Sequence, residues 1–359
     1  MKIASFLNKE NNNLDLVRII LACAVIAGHS IFLNGDTKYW IDPIKFVFPV
    51  TYSGALAVKI FFFISGLVVA NSYIKKESFL YFIIARIFRI LPALLFLLLI
   101  TVFIVGPIFT NISVSAYFLD MKNISYITDN MIFRTNYTLT EVFYKNYYKN
   151  AINGSLWSLH YEIRCYFFLM CLFLLFKNIR LIVFNIVFFV ILIDNVLPSG
   201  IILSKLDSNP EIYYLPISFA YGVFMAINQN KIVINFRIVS ISFIIYYIVK
   251  DVKFSELFLI LAFCNLIIFV SSRKWFLKLR PKYDISYGVY LWGFLIQQII
   301  YAIVGRIYTG LHFLTATLIS ILIAYISFIL IEKPCILLGK RVFLFCEINN
   351  EKLKNLNFK

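Results

Sequence analysis

The segment LDLVRIILACAVIAGHSIFLN, residues 14–34, decides the class of fold. It is apolar over most of its length, and it is long enough to cross a bilayer as one helix, which needs about 20 residues. It also contains Asp15, Arg18 and His29, and an ionisable group inside a bilayer is costly unless it lines a cavity or finds a partner. The segment therefore predicts a functional membrane-spanning helix rather than a cleaved signal peptide.

The composition of the whole chain is that of a polytopic membrane protein. Hydrophobic residues make up 61% of its 359 residues and charged residues only 14%, against about a quarter charged in a typical soluble domain. A soluble fold of this length needs more polar surface than this composition provides, and the same values exclude a disordered chain. The six cysteines form neither a CxxC motif nor a Cys/His spacing, so we expect no structural disulfide and no metal site.

Ten apolar windows are separated by polar, proline-containing or charged breaks. They lie near residues 14–34, 50–73, 87–109, 155–176, 181–200, 211–228, 232–249, 254–272, 284–305 and 313–332, with a large outer loop over 110–154. We predict an all-α membrane fold of about ten helices that forms one domain over residues 1–359. The net charge is +16, and most basic residues fall on the cytoplasmic side if both termini are inside, as the positive-inside rule requires.

His29 and Glu162 are predicted to lie at a similar depth in the bilayer. His29 is about 22 Å above the cytoplasmic start of its span. Glu162 lies on a span that runs the other way, about 10 Å below the outer face of a core about 30 Å thick. A neutral imidazole can accept a proton when a carboxylate orients its other nitrogen. The matched depth favours a catalytic pair over the alternative, which is ordinary hydrogen bonding between helices.

Three arginines are candidates for binding an anionic group near the cytoplasmic face. Arg18 lies eleven residues before His29, so both side chains project from one helix face, about 16 Å apart. Arg86 and Arg89 are three residues apart at a helix entry, where two guanidinium groups can hold a phosphate. The alternative for this pair is a topology anchor, and the same two alternatives apply to the basic segment that contains Lys274, Lys278 and Arg280.

Four other ionisable residues have less specific expectations. His160 points away from Glu162 on its helix, so we expect it to pack or to form an interfacial hydrogen bond. His312 is expected in the outer loop before the last span. Lys59 and Arg164 lie within spans and could pair with carboxylates such as Glu162.

Six segments in chain order resemble the acyltransferase-3 family, whose integral membrane enzymes modify bacterial surface glycans, antibiotics and related acceptors. The segments are LDLVRIILACAVIAGHS with Arg18 and His29, KIFFFISGLVVANSY with Ser65 and Gly66, ARIFRILPALL with Arg86, Arg89 and Pro92, NGSLWSLHYEIRCYFF with Ser155, Trp157 and Glu162, DISYGVYLWGFLIQQ with Tyr287 and Tyr290, and ILIEKP. Each segment is weak alone, but six in the correct order over residues 14–334 are specific. The chain resembles the stand-alone type, without a fused SGNH hydrolase-like domain.

The resemblance implies about ten helices around a cavity in the bacterial inner membrane, and a cytoplasmic acyl-CoA donor, usually acetyl-CoA. It implies that the histidine matching His29 is required, and that the arginines matching Arg18, Arg86 and Arg89 contact the donor. We expect the substrate-binding residues to be Ser65, Ser155, Trp157, Tyr287 and Tyr290; for the aromatic ones the alternative is a place in the interfacial aromatic belt. Membrane lipids and a glycan acceptor are the other expected partners, and nucleic acid is not one.

The predicted function is transfer of an acetyl group from cytoplasmic acetyl-CoA to a sugar hydroxyl of a capsule, O-antigen or lipid-linked glycan. His29 would be the general base and Glu162 its partner, although Ser30 could instead carry a transient acyl group. One alternative is a secondary transporter or lipid-linked glycan flippase with a His29/Glu162 proton relay, but the sequence shows no two related halves. A non-catalytic scaffold is the third hypothesis, and the intramembrane charges disfavour it.

Overall fold

The computed structural model of the chain describes residues 1–35, 41–149, 151–196, 210–249 and 252–356. Within these ranges the backbone is helical or irregular, and β-type pairing is limited to two isolated bridges, Lys2–Val233 and Thr110–Val142. Two aspects of the sequence explain this. The apolar windows are long enough for membrane helices, and a helix satisfies all backbone hydrogen bonds within one segment.

The long helices in the described ranges are numbered here in chain order. They are α1 (Leu14–Asn34), α2 (Ser53–Lys76), α3 (Phe79–Ile100), α4 (Trp157–Leu175), α5 (Arg180–Val196), α6 (Pro210–Ile227), α7 (Phe236–Ile248), α8 (Val252–Ser271), α9 (Ser286–Val304), α10 (Thr309–Ser327) and α11 (Lys333–Leu356). Seven helical segments of the described chain are long and apolar enough to cross a membrane, and the shorter apolar segments Ile212–Ile227 and Phe236–Ile248 accompany them. The predicted class, an all-α polytopic membrane protein, is therefore confirmed.

Two helices continue beyond their predicted windows. The window at 87–109 corresponds to a helix that already begins at Phe79, because the side chain of Ser78 accepts a hydrogen bond from Tyr81 N and caps it. This helix extends through a π-helical turn, Thr101–Val105, to Phe109. At the other end of the chain a second π-helical turn, Phe328–Glu332, joins α10 to α11.

Helix α2 occupies the centre of the bundle. Within its apolar window 83% of the residues are buried, compared with 33% for the segment that contains α4. Gly66 allows α6 to approach closely, because a Cβ atom at this position would lie 2.2 Å from the carbonyl oxygen of Phe219. Small residues at such crossings let membrane helices pack backbone to backbone. The glycine of the ISG segment therefore has a structural role.

The segment 110–154 packs onto the bundle instead of remaining a polar loop. It contains the short helices Val114–Leu119 and Met121–Met131, and it buries Tyr117 and Tyr126 completely. Asn153 Nδ2 donates to the carbonyl oxygen of Leu291 in α9 at 2.8 Å. The segment therefore fixes one end of α9, the helix that carries Tyr287 and Tyr290.

Candidate active site

A cavity of about 340 Å³ lies between α2, α3, α4, α9 and α11 and is called here the main cavity. The predicted site residues that line it are Arg18, Ser65, Arg86, Arg89, Glu162, Tyr287 and Tyr290. These residues come from five different helices, so the fold brings together groups that are far apart in the sequence. Most of the remaining wall is apolar, with Phe61, Phe62 and Val69 of α2 as examples.

An ion-pair cluster holds two of the three predicted arginines at one end of the main cavity. Asp284 Oδ2 lies 3.1 Å from Arg18 Nη1 and 3.1 Å from Arg89 Nη2. Its Oδ1 accepts hydrogen bonds from the backbone N–H and the hydroxyl of Ser286. Glu332 Oε2 is 3.6 Å from Arg89 Nη1. The arrangement fixes both guanidinium groups beside the cavity and neutralises part of their charge.

Arg86 has different surroundings from Arg89, although the two residues lie on the same helix. Its guanidinium carbon is 5.8 Å from the centre of the Tyr166 ring, and it forms no ion pair with any carboxylate in the described chain. A guanidinium group presents five N–H donors in a planar fork that matches a phosphate. Arg86 is therefore the predicted arginine with the most capacity to bind an added anion.

Glu162 lies on the wall of the main cavity and is held through one carboxylate oxygen. Ser65 Oγ donates to Glu162 Oε1 at 2.9 Å, and the hydroxyl of Tyr166 donates to the same oxygen. The Ser65 and Tyr166 hydroxyl oxygens are 2.6 Å apart. Sequence reasoning missed Tyr166, although its position four residues after Glu162 places it on the same helix face.

His29 lies in a second, smaller cavity of about 30 Å³, called here the histidine cavity. Tyr52, Lys59 and Trp157 line it with His29, and Tyr290 lines both cavities. The Nδ1 atom of His29 is buried and has no hydrogen-bond partner in the described chain. Phe294 contacts the imidazole edge to face, with a centroid separation of 5.0 Å.

The predicted direct pairing of His29 with Glu162 is absent from this arrangement. The carboxylate of Glu162 is bound to Ser65 and Tyr166 in the main cavity, whereas the imidazole faces the histidine cavity. Depth is set by position along a helix, but the direction of a side chain is set by the rotation of that helix about its axis. The similar predicted depths of His29 and Glu162 therefore did not determine whether the two side chains are in contact.

Lys59 forms an ion pair with Glu256, a carboxylate that the sequence did not single out. Its Nζ lies 2.5 Å from Glu256 Oε1 of α8, and its side chain is only 1% exposed. Lys59 therefore pairs with a carboxylate, as expected, but with Glu256 and not with Glu162. Glu256 lies two residues inside the predicted window 254–272, and a carboxylate in that position was the available signal. Arg164 is exposed, with its guanidinium 5.6 Å from the ring of Tyr161.

The hydroxyl groups of Tyr287 and Tyr290 are already used within the protein. Tyr287 donates to the carbonyl oxygen of Ile90 at 3.1 Å, and Tyr290 donates to that of Ser155 at 2.8 Å. The Oγ of Ser155 is buried without a hydrogen-bond partner in the described chain and lines neither cavity. Each tyrosine hydroxyl therefore donates to a backbone carbonyl, and its oxygen can only accept a hydrogen bond from a ligand.

Arg280, His312 and His160 each have a hydrogen-bonding partner outside the main cavity. Arg280 donates to the backbone oxygens of Lys9 and Asn12 at 2.7 and 2.6 Å, so it ties down the N-terminal segment and does not reach the main cavity. His312 lies in α10, not in a loop, and its Nε2 is 3.1 Å from the oxygen of Gln297. His160 Nδ1 is 3.5 Å from Thr135 Oγ1.

The helical bundle and its internal cavity, lined by arginine and carboxylate side chains, define a polytopic membrane protein with a charged interior. The model of the Acyl_transf_3 family, described as an acyltransferase domain, matches residues 11–332. The chain therefore belongs to the acyltransferase-3 family and is an acyltransferase.

Two known proteins, one from a phage and one from a bacterium, are similar to the chain. An "O-acetyl transferase" of Shigella phage Sf6 is 26% identical over 342 residues, which covers 90% of this chain and 96% of that protein. "Nodulation protein 10" of Rhizobium leguminosarum bv. viciae is 40% identical over 85 residues, 23% of this chain and 22% of that protein. No solved structure gives a significant match.

Proposed function

We propose that the protein is a membrane O-acetyltransferase that moves the acetyl group of cytoplasmic acetyl-CoA to a sugar hydroxyl of a cell-surface or lipid-linked glycan. The observation that carries the proposal is the main cavity, which joins an arginine-lined end to the wall of the histidine cavity at Tyr290. The similarity to an O-acetyl transferase along nearly the whole chain supports the choice of acetyl group.

The donor would bind with its phosphates at the arginine-lined end of the main cavity. CoA carries a pyrophosphate, and Arg86 has guanidinium donors that no carboxylate of the described chain occupies. Arg18 and Arg89 add positive charge next to it, although Asp284 compensates part of that charge. The pantetheine arm is a long, narrow chain whose methylene and methyl groups suit the aromatic and aliphatic wall formed by α2.

His29 would act as the general base. A neutral imidazole can accept a proton through its unprotonated ring nitrogen. The acceptor hydroxyl gives its proton to His29 while its oxygen attacks the thioester carbonyl. When the carbon–sulfur bond breaks, the sulfur takes the proton back from the imidazolium, which leaves an acetyl ester and the free thiol of CoA.

Glu162 and Lys59 would stabilise the charges that develop on the two sides of this reaction. Glu162 is proposed to favour the imidazolium by its negative charge across the boundary between the cavities, without a direct hydrogen bond. Lys59 lines the histidine cavity, where its ammonium group can favour the oxyanion of the tetrahedral intermediate. Both effects are strong only where water is excluded.

The orientation in the membrane follows from the location of the donor. Acetyl-CoA is cytoplasmic, so the end of the bundle that carries Arg18, Arg86 and Arg89 would face the cytoplasm. The chain would then be a single domain of the bacterial inner membrane with both termini inside, in agreement with the distribution of its basic residues. Tyr52 and Trp157 would face the side from which the glycan approaches, and aromatic rings are suited to packing against sugars.

The proposal is tested by the acetylation of the cell's own glycans. Surface and lipid-linked glycans from cells with the wild-type protein, with His29→Ala and without the protein are compared by mass spectrometry, with equal protein levels confirmed. We expect an acetyl group that depends on the wild-type protein and is missing in the His29→Ala strain. Identical acetylation in all three strains would exclude the proposed acceptor class.

A further inference from the structure

The main cavity extends past the arginines to a wall formed by α11, and the proposed chemistry leaves this part unused. Tyr81 of α3 and Lys340 and Phe343 of α11 line it and are called here the mouth cluster. The Tyr81 and Phe343 rings meet edge to face with centroids 5.1 Å apart. Gly339 lets α11 approach α3, because a Cβ atom there would lie 2.8 Å from Phe88 Cγ.

The mouth cluster lies at a defined distance from the arginines. Glu332 contacts Arg89 at 3.6 Å, and Lys340 follows Glu332 by eight helical residues, which is about 12 Å along the axis. Tyr81 precedes Arg89 by eight residues on the antiparallel helix α3, so the two helices reach the same level. Lys340 is exposed and forms no ion pair within the described chain. Its ammonium group is therefore free to bind an anion.

We propose that the mouth cluster binds the nucleotide end of the acyl-CoA donor, with Lys340 at the 3′-phosphate and the Tyr81–Phe343 pair against the adenine. This inference rests on the proposed function. CoA carries its 3′-phosphorylated adenosine beyond the pyrophosphate, at the end opposite the thiol. If the thioester lies deep in the main cavity and the pyrophosphate at Arg86, the adenosine must emerge at the mouth. A cation and two aromatic rings recognise its two chemical parts.

Two donors that differ by one phosphate test the assignment of Lys340. CoA release by the purified protein is measured with acetyl-CoA and with acetyl-3′-dephospho-CoA. We expect the wild type to have a KM about fivefold lower for acetyl-CoA, the effect of one ionic contact partly exposed to water. Lys340→Ala should remove this difference by raising only the KM for acetyl-CoA, with kcat unchanged, and Lys340→Arg should retain it. Arg341→Ala is the matched control, since Arg341 is the adjacent exposed cation and does not line the cavity.

The possible outcomes separate this inference from the proposed function. A wild-type protein that turns over both donors with equal KM, or a Lys340→Ala variant that raises both KM values equally, would overturn the nucleotide subsite alone. Equal rises in both KM values for Lys340→Ala would indicate that Lys340 affects membrane insertion or folding and does not contact the 3′-phosphate. A wild-type protein that releases CoA from neither donor would overturn the proposed function, and the subsite with it.

The aromatic pair has its own test with a truncated donor. Tyr81→Leu should raise the KM for acetyl-CoA about fivefold or more, because it removes the aromatic ring against which the adenine packs. The KM for acetyl-phosphopantetheine, which lacks adenosine, should not change, and Tyr81→Phe should behave like the wild type. An equal rise for both donors would contradict the placement of the adenine.

Discussion

Arg86 and Arg89 are neighbours on one helix, but only Arg89 is held by carboxylates. Asp284 and Glu332 surround Arg89, whereas Arg86 lies over the ring of Tyr166. The RxxR spacing was visible in the sequence, and both side chains line the main cavity. Their different partners could not be predicted, because Asp284, just before α9, and Glu332 lie about 200 residues or more further along the chain.

This difference predicts that alanine at position 86 weakens donor binding, whereas alanine at position 89 lowers stability. Arg86→Ala should raise the KM for acetyl-CoA at least about tenfold, since a hydrogen bond to a charged group contributes about 1.5–3 kcal/mol, with little change in thermal stability. Arg89→Ala should lower the melting temperature, because it leaves Glu332 without its cation and Asp284 with Arg18 alone. Steady-state kinetics and thermal unfolding of both detergent-solubilised variants check this. Equal losses of stability would argue against a binding role for Arg86.

The buried pair of Lys59 and Glu256 gives a second prediction about single residues. Lys59→Met leaves a carboxylate without its cation and should lower the free energy of unfolding by about 3–5 kcal/mol, the usual effect of breaking a buried pair. The double variant with Glu256→Gln should recover much of this loss, since no unpaired charge remains. Chemical denaturation compares the two. A double variant that is less stable than Lys59→Met would show that the pair is not the source of the effect.

At the scale of elements, the hydrophobic windows predicted which segments are helical better than they predicted where each helix begins and ends. The first window, 14–34, coincides with α1 because Asn13 caps it and Gly35 ends it in the left-handed conformation. The window at 313–332 missed both the start of α10 at Thr309 and the continuation into α11, because residues 333–356 are too polar for a membrane span yet still form a helix. The hydropathy pattern therefore did not predict that α11, which carries Lys340, forms one wall of the main cavity.

The π-helical turn after α3 contains Val102, whose carbonyl oxygen accepts a side-chain hydrogen bond that can be tested by substitution. Tyr117 donates to the carbonyl oxygen of Val102 at 3.0 Å, and burial raises the pKa of Tyr117 to about 12, so the hydroxyl keeps its proton at neutral pH. Tyr117→Phe should lower the free energy of unfolding by about 1–2 kcal/mol, because it leaves a buried acceptor unsatisfied. Tyr144→Phe, at an exposed position of the same segment, is the control. Equal stability of the two variants would indicate that the hydrogen bond contributes little.

At the scale of the molecule, the charged residues of an apolar chain indicated the candidate site. The fold determined which of these residues line the main cavity and which line the histidine cavity. Arg18 and Glu162 were selected because the bilayer makes charge costly, and Arg86 because its spacing from Arg89 suits a phosphate; all three line the main cavity. His29 was selected by the same argument, yet it lies in a separate cavity beyond Tyr290. Position along a sequence predicts depth in a membrane, but helix rotation and tertiary packing decide which groups face each other.

The central claim is that His29 is the base for acyl transfer from acetyl-CoA, and the most direct measurement is the release of CoA thiol by the purified protein. Wild type, His29→Ala and the control His160→Ala are compared in detergent with acetyl-CoA and a glycan extract from the same cells. We expect release by the wild type and by His160→Ala, and a loss of about 100-fold or more for His29→Ala, because general base catalysis contributes about 10²–10⁴-fold. Release by His29→Ala at the wild-type rate would contradict the account, and no release by any of the three would favour a transporter.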